Sequence, residues 1–217
     1  MAGIAEQRLG SFLEEVARAT PAPGGGSSAA CACALAAALV EMAAGVEVGR
    51  GVERSTAESS TERAEGGVGG RPSVPEDMPE RARALRERVL GLGERELSSY
   101  EPVLEALRLP ADTPRRETIL EAALVEASGP PLGIAEAAAE VAELGSAVAG
   151  GSSASVRGDA LTGTLLAEAA AAAAASLVEI NLAGRPATQL PERARDARAR
   201  AAAAREAAQA LAEPRGS

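Results

Sequence analysis

The sequence predicts an all-α fold: an up-and-down helical bundle with buried alanine-rich helices and one long polar loop. Three observations predict it. Apolar residues recur every three or four positions along most of the chain, and no segment alternates as a strand does. Residues 29–46 and 165–183 are so rich in alanine that they are apolar nearly all round, which suits the centre of a bundle. Bulky side chains are scarce, with one Phe, one Tyr and no Trp among 217 residues of which 46% are hydrophobic. A core of that composition works by letting helix backbones approach closely, and its size suits one domain spanning 1–217.

Residues 4–19 place Leu9, Phe12, Leu13 and Val16 at helical spacing with Glu14, Glu15 and Arg18 opposite, and Pro21 and Pro23 stop that helix. Ser27 or Ser28 caps the next helix, which runs to about Gly45. From 46 to 78 Gly, Ser, Glu and Arg dominate, and the segment reads as a long polar loop inserted between two helices. A helix over roughly 79–108 then carries Leu85, Val89, Leu92, Tyr100, Val103 and Leu107 on one stripe. Glu96 occupies one slot of that stripe, where a carboxylate is costly unless it is paired or faces a cavity. The alternative is that Leu97 takes the buried place and Glu96 lies at the edge. Pro102 removes a backbone donor and should bend this helix. Two helices at about 114–128 and 131–149 are divided by "SGPPLG". "GGSSASVRGDALTG" leads into the second alanine-rich helix, which ends near "EINLAGRP". The tail alternates Arg, Ala and Glu without a strong apolar stripe, and 191–217 reads as a C-terminal surface helix.

Composition excludes several kinds of chemistry. There is no His and no Lys, so imidazole is available neither as a base nor as a metal ligand, and all 22 basic residues are Arg. Cys31 and Cys33, two apart in an apolar run, read as small core residues, and no metal site is expected. A net charge of -9 argues against nucleic acid or an anionic membrane as partner. Glu41, Glu168 and Glu179 interrupt the alanine-rich stretches, which therefore read as buried helices of a soluble protein. The lack of a cysteine framework, and an N-terminus without a basic segment followed by an apolar one, point to the cytoplasm.

The segment with most chemical character is "TPAPGGGSSAACACALAAALVEM", residues 20–42. A helix start offers unpaired N–H groups and the positive end of a dipole, and glycines before it let a ligand reach the backbone. The Gly-Lys-Ser/Thr ending of a phosphate-binding loop is missing, and a tight turn that merely delivers a buried helix is the alternative. "GGSSA" occurs at 25–29 and again at 150–154, as though two helix starts share one job.

That segment resembles the opening signature of the formiminotransferase-cyclodeaminase C-terminal family, the cyclodeaminases and cyclohydrolases of folate metabolism. "SSYEPVLEALRLP", "RRETILEAALVEASGPPLGIAEAAAEV" and "VRGDALTGTLLAEAAAAAAASLVEINL" resemble later family segments in order, so that the likeness covers roughly 8–183. It implies an all-helical homodimer acting on formimino- or methenyl-tetrahydrofolate, releasing ammonia or opening the ring with water. No cofactor is implied beyond the tetrahydrofolate derivative that is its substrate. By resemblance Gly24, Gly25, Gly26 and Ser27 line the folate site, Asp159 is its acidic side chain and Asn181 a polar contact.

Such chemistry needs a proton given to a leaving amine or taken from a water, and one carboxylate of raised pKa serves for either. Asp159 and Glu96 are the catalytic candidates, with Asp159 alternatively serving only a helix dipole, and Arg157 is placed to meet a substrate carboxylate. The chain departs from the family pattern where "GVEVGR" keeps only Arg50 of a basic stretch, and at Glu96, Ser152 and Gly158. The rival expectation is a catalytically inactive helical dimer that keeps the scaffold for folate binding or interaction.

Overall fold

The computed structural model describes residues 3–20, 22–59, 73–185 and 189–212. Among them lie eight helices and no strand: α1 Leu9–Val16, α2 Gly25–Ser59, α3 Met78–Ser99, α4 Glu101–Arg108, α5 Arg116–Ala127, α6 Gly129–Gly151, α7 Ala154–Asn181 and α8 Leu190–Ala212. The all-α expectation therefore holds.

Small residues set the packing. A Cβ on Gly93 of α3 would lie 2.9 Å from the Ala30 methyl, and one on Gly26 would strike Glu96, so α3 descends beside the ascending α2. Gly133, near the start of α6, faces Leu92 near the end of α3, so α6 ascends again. On α7, Gly163 lies against Ala36 and Val40 while Leu177 reaches Gly25, so α7 runs antiparallel to α2. Arg193 and Arg200 of α8 meet Glu136 and Glu143 of α6 at 2.7 and 2.8 Å, one heptad apart on both helices, which makes those two parallel. The alternation gives the bundle two ends. The starts of α2, α6 and α8 share the glycine end with the finishes of α3 and α7.

Backbone itself is met most closely at α2–α7, where a Cβ on Gly163 would fall 3.0 Å from the Ala36 carbonyl oxygen. Cys33, Ala36, Ala37, Val40, Ala43 and Ala44 of α2 are fully or almost fully buried, as are Ala167, Ala171, Ala174 and Ala175 of α7. Burial pushes the Cys33 thiol up to about 12, so it behaves as a small core group. Glu41 on α2 bonds to Arg83 and Arg86 of α3 at 2.9 and 3.1 Å. Burial alone would raise its pKa, but the two guanidinium groups outweigh burial and hold it below the usual range. By length and composition α2 from Gly25 to Glu53 and all of α7 could cross a membrane, with mean hydropathies of 2.0 and 1.5. Here they pack against each other and against α6.

The sequence expectations need four corrections. The polar segment 46–78 is not all loop, because α2 continues to Ser59, while 60–72 lies outside the described residues. Within that stretch Glu47 is buried, and its carboxylate is anchored at the start of α7. The expected helix over 79–108 is two helices, α3 and α4, since Pro102 lies in the first turn of α4. The first helix is shorter than 4–19, and only Phe12 of its stripe is buried, Leu9 and Leu13 being 71% and 56% exposed. The surface helix of the tail buries Ala194, Ala197, Ala201, Ala204 and Ala208, a heptad stripe that small methyl groups hid from a hydropathy reading.

Glycine is required only where backbones meet. Gly163→Ala is expected to lower stability by about 1–3 kcal/mol through overpacking. Gly91→Ala, on the exposed face of α3 with nothing near its Cβ, should raise stability by about 0.5–1 kcal/mol. Urea unfolding of the two variants checks both signs.

Candidate active site

The start of α2 lacks intrahelical partners for its first N–H groups. Ser27, fully buried, lets its hydroxyl accept from the Gly24 N–H at 3.1 Å and donate back to the Gly24 carbonyl at 3.1 Å. Ser28 donates to the same carbonyl at 2.8 Å. Neither serine is the helix cap that was expected, because α2 begins at Gly25, ahead of both, and their hydroxyls instead fold back onto Gly24.

The Ser27 N–H donates to Oε2 of Glu96, 69 residues away on α3, at 3.1 Å. Glu96 thus faces the helix start rather than solvent, and Leu97 beside it is only half-buried. Gly26 makes that possible, because a Cβ there would be 2.3 Å from Oε1 and 2.5 Å from the carboxyl carbon. Burial raises the pKa of Glu96, and the Ser27 N–H offsets this only in part. Oε1 makes no hydrogen bond among the described residues, nor do the N–H groups of Gly25 and Gly26. The start of α2 therefore faces a carboxyl group of raised pKa beside two donors without partners among the described residues.

Gly25 is exposed, and a Cβ there would touch Leu177 at a comfortable 3.8 Å. Asn181 lies one turn beyond Leu177 on the same face of α7, at the glycine end. Nearby, Arg185 pairs with Glu117 and ties the segment after α7 to α5. Glu94 of α3 accepts from the Ile4 N–H and so draws the N-terminal segment over the same end.

Asp159 and Arg157 are elsewhere. Asp159 precedes Leu177 by 18 residues of α7, about 27 Å at a rise of 1.5 Å per residue. The two "GGSSA" helix starts are at opposite ends of the bundle because α2 and α7 are antiparallel, so within one protomer they do not share a site. Arg157 is committed to backbone, donating to the carbonyls of Ser152 and Leu211 at 3.2 Å each, where it ties α8 to the start of α7.

The far end has a carboxylate that sequence reasoning missed. Glu47 accepts from the N–H and hydroxyl of Ser153 at 3.1 and 2.7 Å and pairs with Arg50 at 3.1 Å. Burial would raise its pKa, but Ser153 and Arg50 together win and hold it low. Its spacing from the core positions Val40 and Ala43 was the available signal, concealed by reading 46–78 as loop. Among the described residues no three His, Cys, Asp or Glu side chains gather to hold a metal. A groove of about 470 Å³ between α3 and α6 and one of about 480 Å³ between α6 and α8 lie away from the glycine loop, and their Arg and Glu walls already pair across them.

The crystal structure of formiminotetrahydrofolate cyclodeaminase from Thermotoga maritima has the same fold, with a TM-score of 0.73 at 20% identity over 96% of each chain. No curated protein compared with the sequence matches it. The family model for formiminotransferase-cyclodeaminase matches residues 8–200, and the chain belongs to that family.

Because its folded pKa is raised, Glu96 binds its proton more tightly in the folded state than in the unfolded one. Its contribution to stability is full below the ordinary carboxylate range and is lost as pH rises through the raised value. Wild type is therefore expected to lose stability relative to Glu96→Gln as pH increases from about 4 towards neutrality. Denaturant midpoints of both proteins across that range check this, and parallel curves would refute it.

Proposed function

We propose that the protein catalyses hydrolysis or deamination at a C–N bond of a tetrahydrofolate derivative, either as a methenyl-tetrahydrofolate cyclohydrolase or as a formimino-tetrahydrofolate cyclodeaminase. The observation that carries this is Glu96, its carboxyl made more basic by burial and seated on Gly26 at the open start of α2. In the first reaction Glu96 takes a proton from the water that adds to the methenyl carbon and returns it to the departing N5. In the second, N10 attacks the formimino carbon and its proton passes through solvent to the imino nitrogen, and Glu96 then protonates the resulting amino group so that it leaves as ammonia. The Gly25 and Gly26 N–H groups suit a polar atom of the bound substrate, and Asn181 supplies a side-chain contact at the same end. Glu96 carries the chemistry without calling on a cofactor beyond the folate, and the site belongs to a cytoplasmic enzyme.

The working form is a homodimer. Leu35, Met42 and Val46 of α2 are 57%, 44% and 37% exposed, and Leu165 and Ile180 of α7 are 37% and 70% exposed. Together they give adjoining helices an apolar face that runs between the two ends of the bundle. A two-fold contact across it, with helices crossing head to tail, carries Asp159 of one copy towards the glycine loop of the other. Light scattering is expected to report a dimer for wild type and a monomer for a Leu35→Arg, Met42→Arg double variant.

The rival reading, an inactive scaffold that only binds folate, draws on the distance of Arg157 and Asp159 from the glycine loop within one protomer. Absorbance of 5,10-methenyl-tetrahydrofolate separates the two. Wild type should speed its decay, and Glu96→Gln should lower kcat about a hundredfold or more. Asp159→Asn should also impair the enzyme, and refolding it with Glu96→Gln should restore about a quarter of the wild-type sites, those of mixed dimers. Tight folate binding with no turnover of either the methenyl or the formimino form would establish the scaffold.

A further inference from the structure

Tyr100 is the one tyrosine in a chain that has no tryptophan, and its side chain is 41% exposed. It closes α3 in helical conformation, with φ -90° and ψ -8°, and its N–H bonds to the Ser98 carbonyl. That geometry keeps Tyr100 in register with the turns before it. Gly93 of α3 packs on Ala30 of α2, and Glu96 packs on Gly26. Each turn forward on α3 thus meets α2 one turn nearer its start. The next turn on the same face is Tyr100, with its Cβ about 5–6 Å from that of Glu96. No helix remains opposite it, because α2 begins at Gly25. That register turns it instead towards the space in front of the helix start, where the Gly25 and Gly26 N–H groups have no partner among the described residues. Its hydroxyl makes no hydrogen bond among the described residues, so nothing in the fold explains an aromatic group at this position.

We infer that Tyr100 is the stacking platform of the active site, holding the planar ring of the substrate over the first turn of α2. The inference rests on the folate reading above and deepens it. A ring seated between the tyrosine face and the glycine backbone presents its edge to the unpaired N–H groups, and its reactive C–N bond to the carboxyl of Glu96. Phe12, the other aromatic residue, is buried beneath α1 and unavailable for this.

The composition makes the test direct: with one tyrosine and no tryptophan, the protein's emission near 305 nm comes from Tyr100 alone. Wild type is titrated with 5-formyl-tetrahydrofolate, following that emission corrected for ligand absorbance, and calorimetry measures affinity independently. Quenching that saturates with the calorimetric Kd is expected. Stacking on an aromatic side chain is worth about 1–3 kcal/mol, so Tyr100→Ala should weaken binding on the order of tenfold. Tyr100→Phe should stay within about twofold of wild type, because the ring and not the hydroxyl is used. In turnover the Ala variant should raise KM far more than it lowers kcat, with thermal unfolding unchanged because the side chain stands at the surface. If wild type binds by calorimetry while tyrosine emission and the Ala variant's affinity do not change, the platform is refuted and the folate reading survives. If wild type binds no folate at all, both fall.

Discussion

Between α2 and α7 the backbone of Gly163 lies so near the Ala36 carbonyl that a single added methyl group would be 3.0 Å from the oxygen. The rest of the molecule follows from that proximity. Alanine removes little apolar surface from water per residue, so a core with almost no aromatic groups gains its stability from dispersion between close backbones. Close approach fixes the register of the two helices tightly. Register in turn decides which residues stand at the glycine end, and hence which side chains can meet the start of α2.

The two ends of the bundle solve one electrostatic problem differently. Each alanine-rich helix begins with donors that lack intrahelical acceptors, and at each a carboxylate from a neighbouring helix accepts from a serine N–H. Glu47 also receives the Ser153 hydroxyl and the Arg50 charge, so its ionised form is favoured despite burial. Glu96 has one N–H and no cation, so burial prevails and its pKa rises. An acid held ionised by an arginine and a serine is a staple between helices, whereas an acid that receives one N–H alone keeps a raised pKa. The same residue type therefore has its pKa lowered at one end of the bundle and raised at the other.

The surface shows where alanine cannot serve. Exposed Leu35, Met42, Leu165 and Ile180 on adjoining helices contrast with a core built from smaller groups. On α8 the opposite holds, because its alanine stripe is buried against the bundle while Arg193 and Arg200 reach acids of α6 from the flanks. Bulky apolar groups stand exposed on α2 and α7, and small residues stand where a helix lies close.

Much was determined by the sequence alone. Three-to-four spacing, alanine runs and proline breaks specify helices locally, because each is a property of a few neighbouring residues. The glycine loop, its serines and the odd carboxylate at Glu96 were legible for the same reason: a charge in an apolar stripe needs a partner, wherever that partner is. Tertiary structure alone decided which helix starts meet. "GGSSA" at 25–29 and 150–154 looked like two halves of one site, yet antiparallel packing sends them about 35 Å apart along α7. Arg157 was taken from the substrate by two backbone carbonyls, and Glu47 emerged from a segment too polar to look helical. Direction and register arise from contacts between residues far apart in the chain, and no local pattern carries them.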